Sequence, residues 1–538
     1  NGRIHKYSGS RENPAKALQF VMVLRKWLEG ARIKNILATP NERIATLYLA
    51  ARNELGDPID LRLIIEIMGK HSNIILVDAQ GMILDGIRRY GSQLSRYREV
   101  LPGRIYLPPP PINKLPFLPP DEEALASALY SASATVLEQA LKQKISGVSP
   151  LLAQNIPLLA GLMPQLSVET MGSHEIRLIY QQLQMISDKL RNSTYQPLIT
   201  IKGKQYLDFY AFPLPSFLGR GTITFPTMNE AVDAFYSQLE LRQEFERRRN
   251  GLAKSLRQHR QRLQKKIELE EAELAHCEAA SAYREAADLL AANIYFLQKG
   301  QTSVELPSFE DEQKKIIIHL APAKTIQENI QNYYRRYGKA KNARRLIEDQ
   351  LKINREQLAY LFSIEQSMED SESANELAVI EKEAEAAGFF QRRAVIGRPR
   401  EATTDQMQLQ PRRYLSQDGF IIQIGRNNRQ NERLSLKLAA DDDIWLHVQK
   451  MPGSHVVISS DGREVPERTI IEAATYAAWF SKARGSGKTA VDYTRAANLK
   501  KPSGTPPGYV TYTDQKTVYV EPKEPGEESL QAEPQQSP

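Results

Sequence analysis

The chain has 538 residues, 41% of them hydrophobic, too many for one core and enough apolar residues for three or four. A single cysteine, Cys277, excludes an intrachain disulfide framework and a Cys-rich zinc site, which suits a reducing cytoplasmic setting. The net charge is uneven: +8 over residues 1–120, −4 over 121–387 and +7 over 388–523, so two separated basic ends predict contact with a polyanion at two places, against a plain reading as solvated surface.

The chain opens on NGRIHKY, which reads as the middle of a strand, with the natural N-terminus expected upstream. NPAKALQFVMVLRKWLEG then predicts a helix with Leu18, Val21, Met22, Arg25 and Leu28 on one face and Gly30 as its stop. RIATLYLAA, LRLIIEIMG, SNIILVD and GMILDGIRRY read as strands, the last two closing a hairpin at Ala79-Gln80-Gly81. Residues 1–120 are therefore expected to place a helix on a mostly antiparallel sheet, ending in the stiff connector LPPPPINKLPFLPP. Short helices follow over 121–195, opened by Asp121-Glu122-Glu123 at the positive end of a helix. Residues 196–227 return to strand character and complete the N-terminal module.

Residues 228–387 predict two long helical arms that fold into an antiparallel hairpin, with a knob at 299–322. Leu252, Leu256, Leu263, Ile267 and Leu274 give the seam, and the second arm is expected to run from about Lys324 to Ala387. The basic stretch 388–411 reads as a linker. Residues 412–523 predict an α+β domain from FIIQIG, SLKLA, IWLHV and HVVIS, one main helix in TIIEAATYAAWFSKA, then TAVDYT, YVTYT and TVYVEP. The tail 524–538 is Pro/Glu/Gln-rich and expected to be disordered. No apolar run approaches a membrane span and no signal peptide is visible.

The string GSGKT invites a nucleotide-binding reading. A phosphate-binding loop needs GxxxxGK[ST] after a strand and before a helix, because the helix N-terminal N–H groups hold the phosphates. Here the residue five before Gly487 is Lys482, and the order is helix first, strand after. Lys482, Arg484 and Lys488 instead form a basic helix exit, suited to the helix dipole or to RNA phosphates. His447 and His455, near Asp441–Asp443, could hold a metal, but their placement around a Met-Pro-Gly turn favours structural roles. ISGVSPLL around Gly147 resembles the turn of a helix-hairpin-helix, which holds a phosphate on backbone N–H groups. No cofactor and no metal is expected, and no catalytic nucleophile pattern is present.

Long strings in order carry a resemblance over nearly the whole chain. They are LRKWLEGARI, RNELGD, EIMGKHSNIILVD and RYREVLPG, then YYRRYGKAKNA, and finally GRNNRQNE, DIWLHVQKMPGSHVVI, VDYT, KKPSG and PGYV. On these the chain resembles the NFACT family. The resemblance implies a glycosylase-like N-terminal domain, helix-hairpin-helix elements, a coiled-coil arm and a C-terminal NFACT-R domain. It further implies a ribosome quality control factor, not an enzyme. Such a factor binds the large ribosomal subunit and its rRNA, with the stalled peptidyl-tRNA still in place. It recruits alanyl-tRNA for untemplated alanine tailing, with a small RNA-binding partner factor.

The family's Asp-Arg pair for tRNA falls on Glu42-Arg43, an acid one methylene longer, and its tailing-linked segment falls intact on Glu66, Ile67 and Met68. Taken without the resemblance, Glu42-Arg43 reads equally well as a surface ion pair, and Glu66 as a solvent-facing residue by strand alternation. Further candidate RNA contacts are Lys70, His71, Arg426, Asn427, Asn428, His447, His455, Lys482, Arg484, Lys488, Lys500 and Lys501. Two other classes compete. A DNA-lesion glycosylase would need an N-terminal Pro-Glu and usually a Cys-rich finger. A fibronectin-binding adhesin would need an export signal and an anchor.

Overall fold

The structure is a computed structural model describing residues 2–9, 17–39, 42–93, 97–110, 113–203, 205–278, 280–309, 314–391 and 410–526. Most of the linker expected at 388–411, and the tail from 527, lie outside the described residues. The chain divides into two compact units, residues 1–242 and 243–538.

In the first unit, α1 (Gln19–Leu28) lies against an antiparallel sheet of β1 (Arg32–Ala38), β2 (Ile44–Arg52), β3 (Pro58–Glu66), β4 (Asn73–Asp78) and β5 (Ile83–Gly86), in sequential order. The β4–β5 turn is closed by Asp78, whose Oδ1 accepts from the N–H of Gln80 and of Met82 (3.0 and 2.8 Å), and by Gly81 at φ 89°. The packed face of α1 matches the expected one only in part. Val23, Leu24, Trp27 and the expected Leu28 pack with the sheet residues Leu49, Leu61 and Leu76, while Leu18 and Met22 are exposed. β1 was not expected; all seven of its residues are exposed, so it lacks the apolar alternation that marks a strand.

A second layer follows. Four helices, α2 (Glu122–Tyr130), α3 (Leu137–Lys144), α4 (Pro150–Leu159) and α5 (Ser173–Arg191), share one core around Leu129, Leu141, Ile156 and Ile179. Asp121 and Ser149 cap α2 and α4 by accepting from Ala124 N and Leu152 N. Three strands, β6 (Leu198–Lys202), β7 (Gln205–Tyr210) and β8 (Gly221–Thr224), pair in the order β7-β6-β8.

α6 (Met228–Glu278) is followed by α7 (Ser281–Ala292), then β9 (Ser303–Pro307) and β10 (Lys315–His319), which pair as a hairpin. α8 (Ile326–Glu369) returns antiparallel: Arg260 of α6 bonds Glu365 (2.8 Å), while Glu270 and Glu271 further along accept from Asn354 and Arg355 (2.6 Å each). The second arm is not continuous to Ala387. It stops at Asp370, and Ser373 caps a separate α9 (Ala374–Ala386) by accepting from Glu376 N.

The last domain is a six-stranded antiparallel sheet carrying one main helix. Its elements are β11 (Arg412–Leu415), β12 (Ile421–Ile424), α10 (Asn428–Arg433), β13 (Ile444–Val448), β14 (Val456–Ser459), α11 (Glu467–Trp479), β15 (Thr489–Arg495), β16 (Leu499–Lys500), β17 (Thr511–Tyr512) and β18 (Lys516–Val520). The sheet order is β11-β12-β14-β13-β15-β18, with β16–β17 apart. Ala473, Ala474, Ala477 and Ala478 let α11 lie close on the sheet, against Val456, Ile458 and Val491. SLKLA is not a strand: Leu434–Leu438 form a π-helical turn. GSGKT lies between α11 and β15, in the helix-first order that denies it a phosphate-cradling helix start.

Candidate nucleic-acid interface

Two of the singled-out segments meet at one end of the first sheet. Glu42 and Arg43 form the turn into β2, with Glu42 N–H donating to Thr39 O (3.1 Å) and Thr39 N–H to Ile44 O (2.9 Å). β2 and β3 pair with Ile44 opposite Glu66, and the next peptide group, Ile67 N–H, donates to the Arg43 carbonyl at 2.8 Å. The Arg43 turn therefore hangs from the Glu66-Ile67-Met68 segment. Gly69, at φ 58°, then turns the chain sharply, and Ser72 Oγ accepts from Met68 N–H and donates to Gly69 O. Arg43, Lys70 and His71 are exposed, and Glu42 is half-buried. Arg88, not anticipated, joins them: its guanidinium donates to the Lys70 carbonyl, and its backbone is held by both polar atoms of Asn73. This end of the sheet presents several cations to solvent, an arrangement that can hold phosphates.

Glu66 does not face solvent. It is 1% exposed, and Arg98 forks onto it with two bonds of 2.6 Å, Nη1 to Oε1 and Nη2 to Oε2. Tyr106 donates its hydroxyl to Oε1 at 2.9 Å, and Arg98 Nη1 also donates to Leu107 O. Burial, and then the Glu66 charge, push the Tyr106 hydroxyl far above its ordinary value. Burial opposes the Arg98 charge, but the Glu66 carboxylate outweighs it and the Arg98 pKa is raised. Alternation correctly puts Glu66 on one face of β3, but that face is covered. Nothing in the spacing pairs it with an arginine 32 residues later.

In the second unit, many candidate contacts are engaged within the chain. The Arg426 guanidinium pairs with Glu376 of α9 and donates from Nε to Gln410 O. Asn427 caps α10 by accepting from Gln430 N–H (2.9 Å). Asn428 Nδ2 donates to Glu383 Oε1 and Ser363 Oγ (2.9 and 2.8 Å). Arg484 pairs with Asp370, and Lys482 Nζ stands 4.5 Å from the Phe362 ring centre. Arg426, Asn428, Lys482 and Arg484 therefore make contacts with α8, α9 or the turn between them, with Lys482 and Arg484 still exposed to solvent. Lys501 pairs with Glu432 at 2.6 Å, while Lys488 and Lys500 are exposed.

His447 and His455 belong to an interior network. Ser435 Oγ lies 2.7 Å from His455 Nδ1 and accepts from Trp445 Nε1 at 3.0 Å. The Trp445 ring stacks with His447 and meets His455 edge-on. Asp492 accepts from Tyr512, Thr517 and Gln449. Burial depresses both imidazoles, His455 well below the usual histidine value. Among the described residues no group of three His, Cys, Asp or Glu side chains could hold a metal ion, and no helix is long and apolar enough to cross a membrane.

Residues 1–403 match the family described as NFACT N-terminal and middle domains, and residues 410–514 match the NFACT protein RNA binding domain. The chain is 35% identical over 522 residues to the Rqc2 homolog RqcH of Bacillus subtilis (strain 168), covering 97% of this chain and 88% of that protein. It is 33% identical over 524 residues to the Rqc2 homolog RqcH of Streptococcus pneumoniae (strain D39), with the same coverage of both. Among solved structures, the C-terminal part of the fibronectin/fibrinogen-binding protein from Streptococcus suis is 30% identical, with a TM-score of 0.41 over 52% of this chain and 96% of that one. On the extent of the family matches and the identity to these RqcH relatives, the chain belongs to the NFACT family.

Proposed function

We propose that this protein is a cytoplasmic ribosome quality control factor that binds the large ribosomal subunit carrying a stalled peptidyl-tRNA. It recruits alanyl-tRNA for untemplated alanine tailing. Bond formation belongs to the ribosome, and the protein supplies placement, with a small RNA-binding factor as a further partner. The fold reading that goes with this is a glycosylase-like N-terminal domain with helix-hairpin-helix elements, an antiparallel coiled-coil arm and an RNA-binding C-terminal domain. The observation that carries the proposal is the bond from Ile67 N–H to the Arg43 carbonyl, which joins the two segments at one cationic sheet end.

In this reading Arg43 forks onto a phosphate or a base edge of the tRNA. Glu42 accepts from a base amino group or orients the arginine. Lys70 and Arg88 add charge beside them, His71 adds a ring donor or acceptor, and Lys488 and Lys500 serve the C-terminal RNA contact. The test is sedimentation of the full chain with purified large subunits at moderate salt, followed by a tailing assay. The wild-type protein is expected to travel with the subunits and carry alanyl-tRNA. Arg43→Ala is expected to travel equally well but to abolish tailing. A wild-type chain that stays in the supernatant refutes the proposal.

A further inference from the structure

The tailing-linked Glu66 is 1% exposed, so it cannot touch a tRNA without unfolding its surroundings. Its influence has to pass through what it holds. Above it in register is Ile44, and one peptide further the Ile67 N–H carries the Arg43 carbonyl. Below it are the Arg98 fork and the Tyr106 hydroxyl.

We propose that Arg98 is a positioning residue for tRNA capture: by locking Glu66 in place, it fixes the end of β3 and hence the Arg43 turn. This rests on the reading of that turn as the tRNA site. The lock is geometrically demanding. A forked guanidinium–carboxylate pair tolerates little change in angle or distance. A slip of β3 by one residue would turn Glu66 to the opposite face and strand the Arg98 charge inside the protein. Apolar packing alone would allow such adjustments more readily, because hydrophobic contact is not directional. Tyr106 and the Leu107 carbonyl hold the fork from the other side, so the segment 98–107 acts as a clamp beneath the turn.

The test compares two full-length variants with wild type. Glu66→Leu/Arg98→Met/Tyr106→Phe removes the forked pair and the Tyr106 hydroxyl together, so that no charge is left buried and unpaired. Arg98→Lys keeps the charge and loses the fork. Two readouts decide. In hydrogen exchange read by mass spectrometry, peptides spanning residues 42–47 and 64–70 are expected to exchange about tenfold faster in the triple variant. In tailing assays on large subunits, its half-saturating alanyl-tRNA concentration is expected to rise about tenfold. Its rate at saturating tRNA and its sedimentation with subunits should match wild type. Arg98→Lys should shift both readouts the same way by about threefold, and it decides alone if the triple variant fails to fold.

Unchanged exchange of the two peptides overturns the proposal. So does a fall in the saturated rate with half-saturation unmoved, since that marks action on the reaction rather than on capture. Arg43→Ala, run alongside, separates the two levels. If it tails as the wild type does, the tRNA reading of the turn is wrong, while the exchange data still judge whether Arg98 positions it.

Discussion

His455 is buried and His447 half-buried in the C-terminal domain, where desolvation makes the folded protein resist protonating them. Both folded values lie below the unfolded value of about 6.5. As pH falls through that value, the unfolded chain takes up protons that the folded chain refuses, and stability is lost; above it the penalty vanishes. Asp492 pulls His447 back toward ordinary behaviour, whereas the His447 charge depresses His455 further. Urea unfolding of the protein is therefore expected to show stability falling as pH drops below about 6.5 and levelling off once the folded imidazoles themselves take up protons. His455→Asn should be less stable at pH 7.5 but show a shallower pH dependence; an equally steep one would contradict this account. The two histidines were legible in the sequence as a pair around a turn. That His455 is buried, and that Ser435 and Asp492 stand beside the pair, was not legible, because these partners come from separate elements.

At the scale of elements, the base of α8 and α9 meets the last domain through charge. Glu376, 3% exposed at its side chain, depends on Arg426, and Asp370, similarly buried, on Arg484. Burial raises the Asp370 carboxyl, and Gln366, Arg484 and Arg412 offset part of that rise. Arg426→Ala leaves the Glu376 carboxylate buried without its guanidinium and is expected to cost about 3 kcal/mol in chemical denaturation. A change within about 0.5 kcal/mol, the range of an ordinary surface substitution, would show the pair to be incidental. The interruption between α8 and α9 was present in the sequence as Ser373 followed three residues later by Glu376, a cap signal within an otherwise helical run. The π-helical turn at Leu434–Leu438 was not legible. Five residues of alternating polarity suit a strand locally, and the contacts of Ser435 with Trp445 and His455 accompany the other conformation.

For the whole molecule, charge placement yields an expectation about salt. If the exposed Lys488 and Lys500 lie on phosphates, binding to large subunits weakens with salt. Lys488→Ala/Lys500→Ala should then lower the slope of log affinity against log salt by about 2. A slope equal to wild type would remove both residues from the interface. The sequence by itself determined the family, the alternation of sheet-rich and helical regions, the rejection of GSGKT as a phosphate loop and the basic ends. Each of these rests on local order or composition, which needs no knowledge of what lies across a core. Only the tertiary structure decided that Glu66 is buried on Arg98, that the Arg43 turn hangs from Ile67, and that Arg426 and Arg484 turn toward α8 and α9. The physical reason is common to all three. An ionised side chain is satisfied by whichever opposite charge or peptide group the fold brings within about 3 Å, and sequence separation says nothing of that distance.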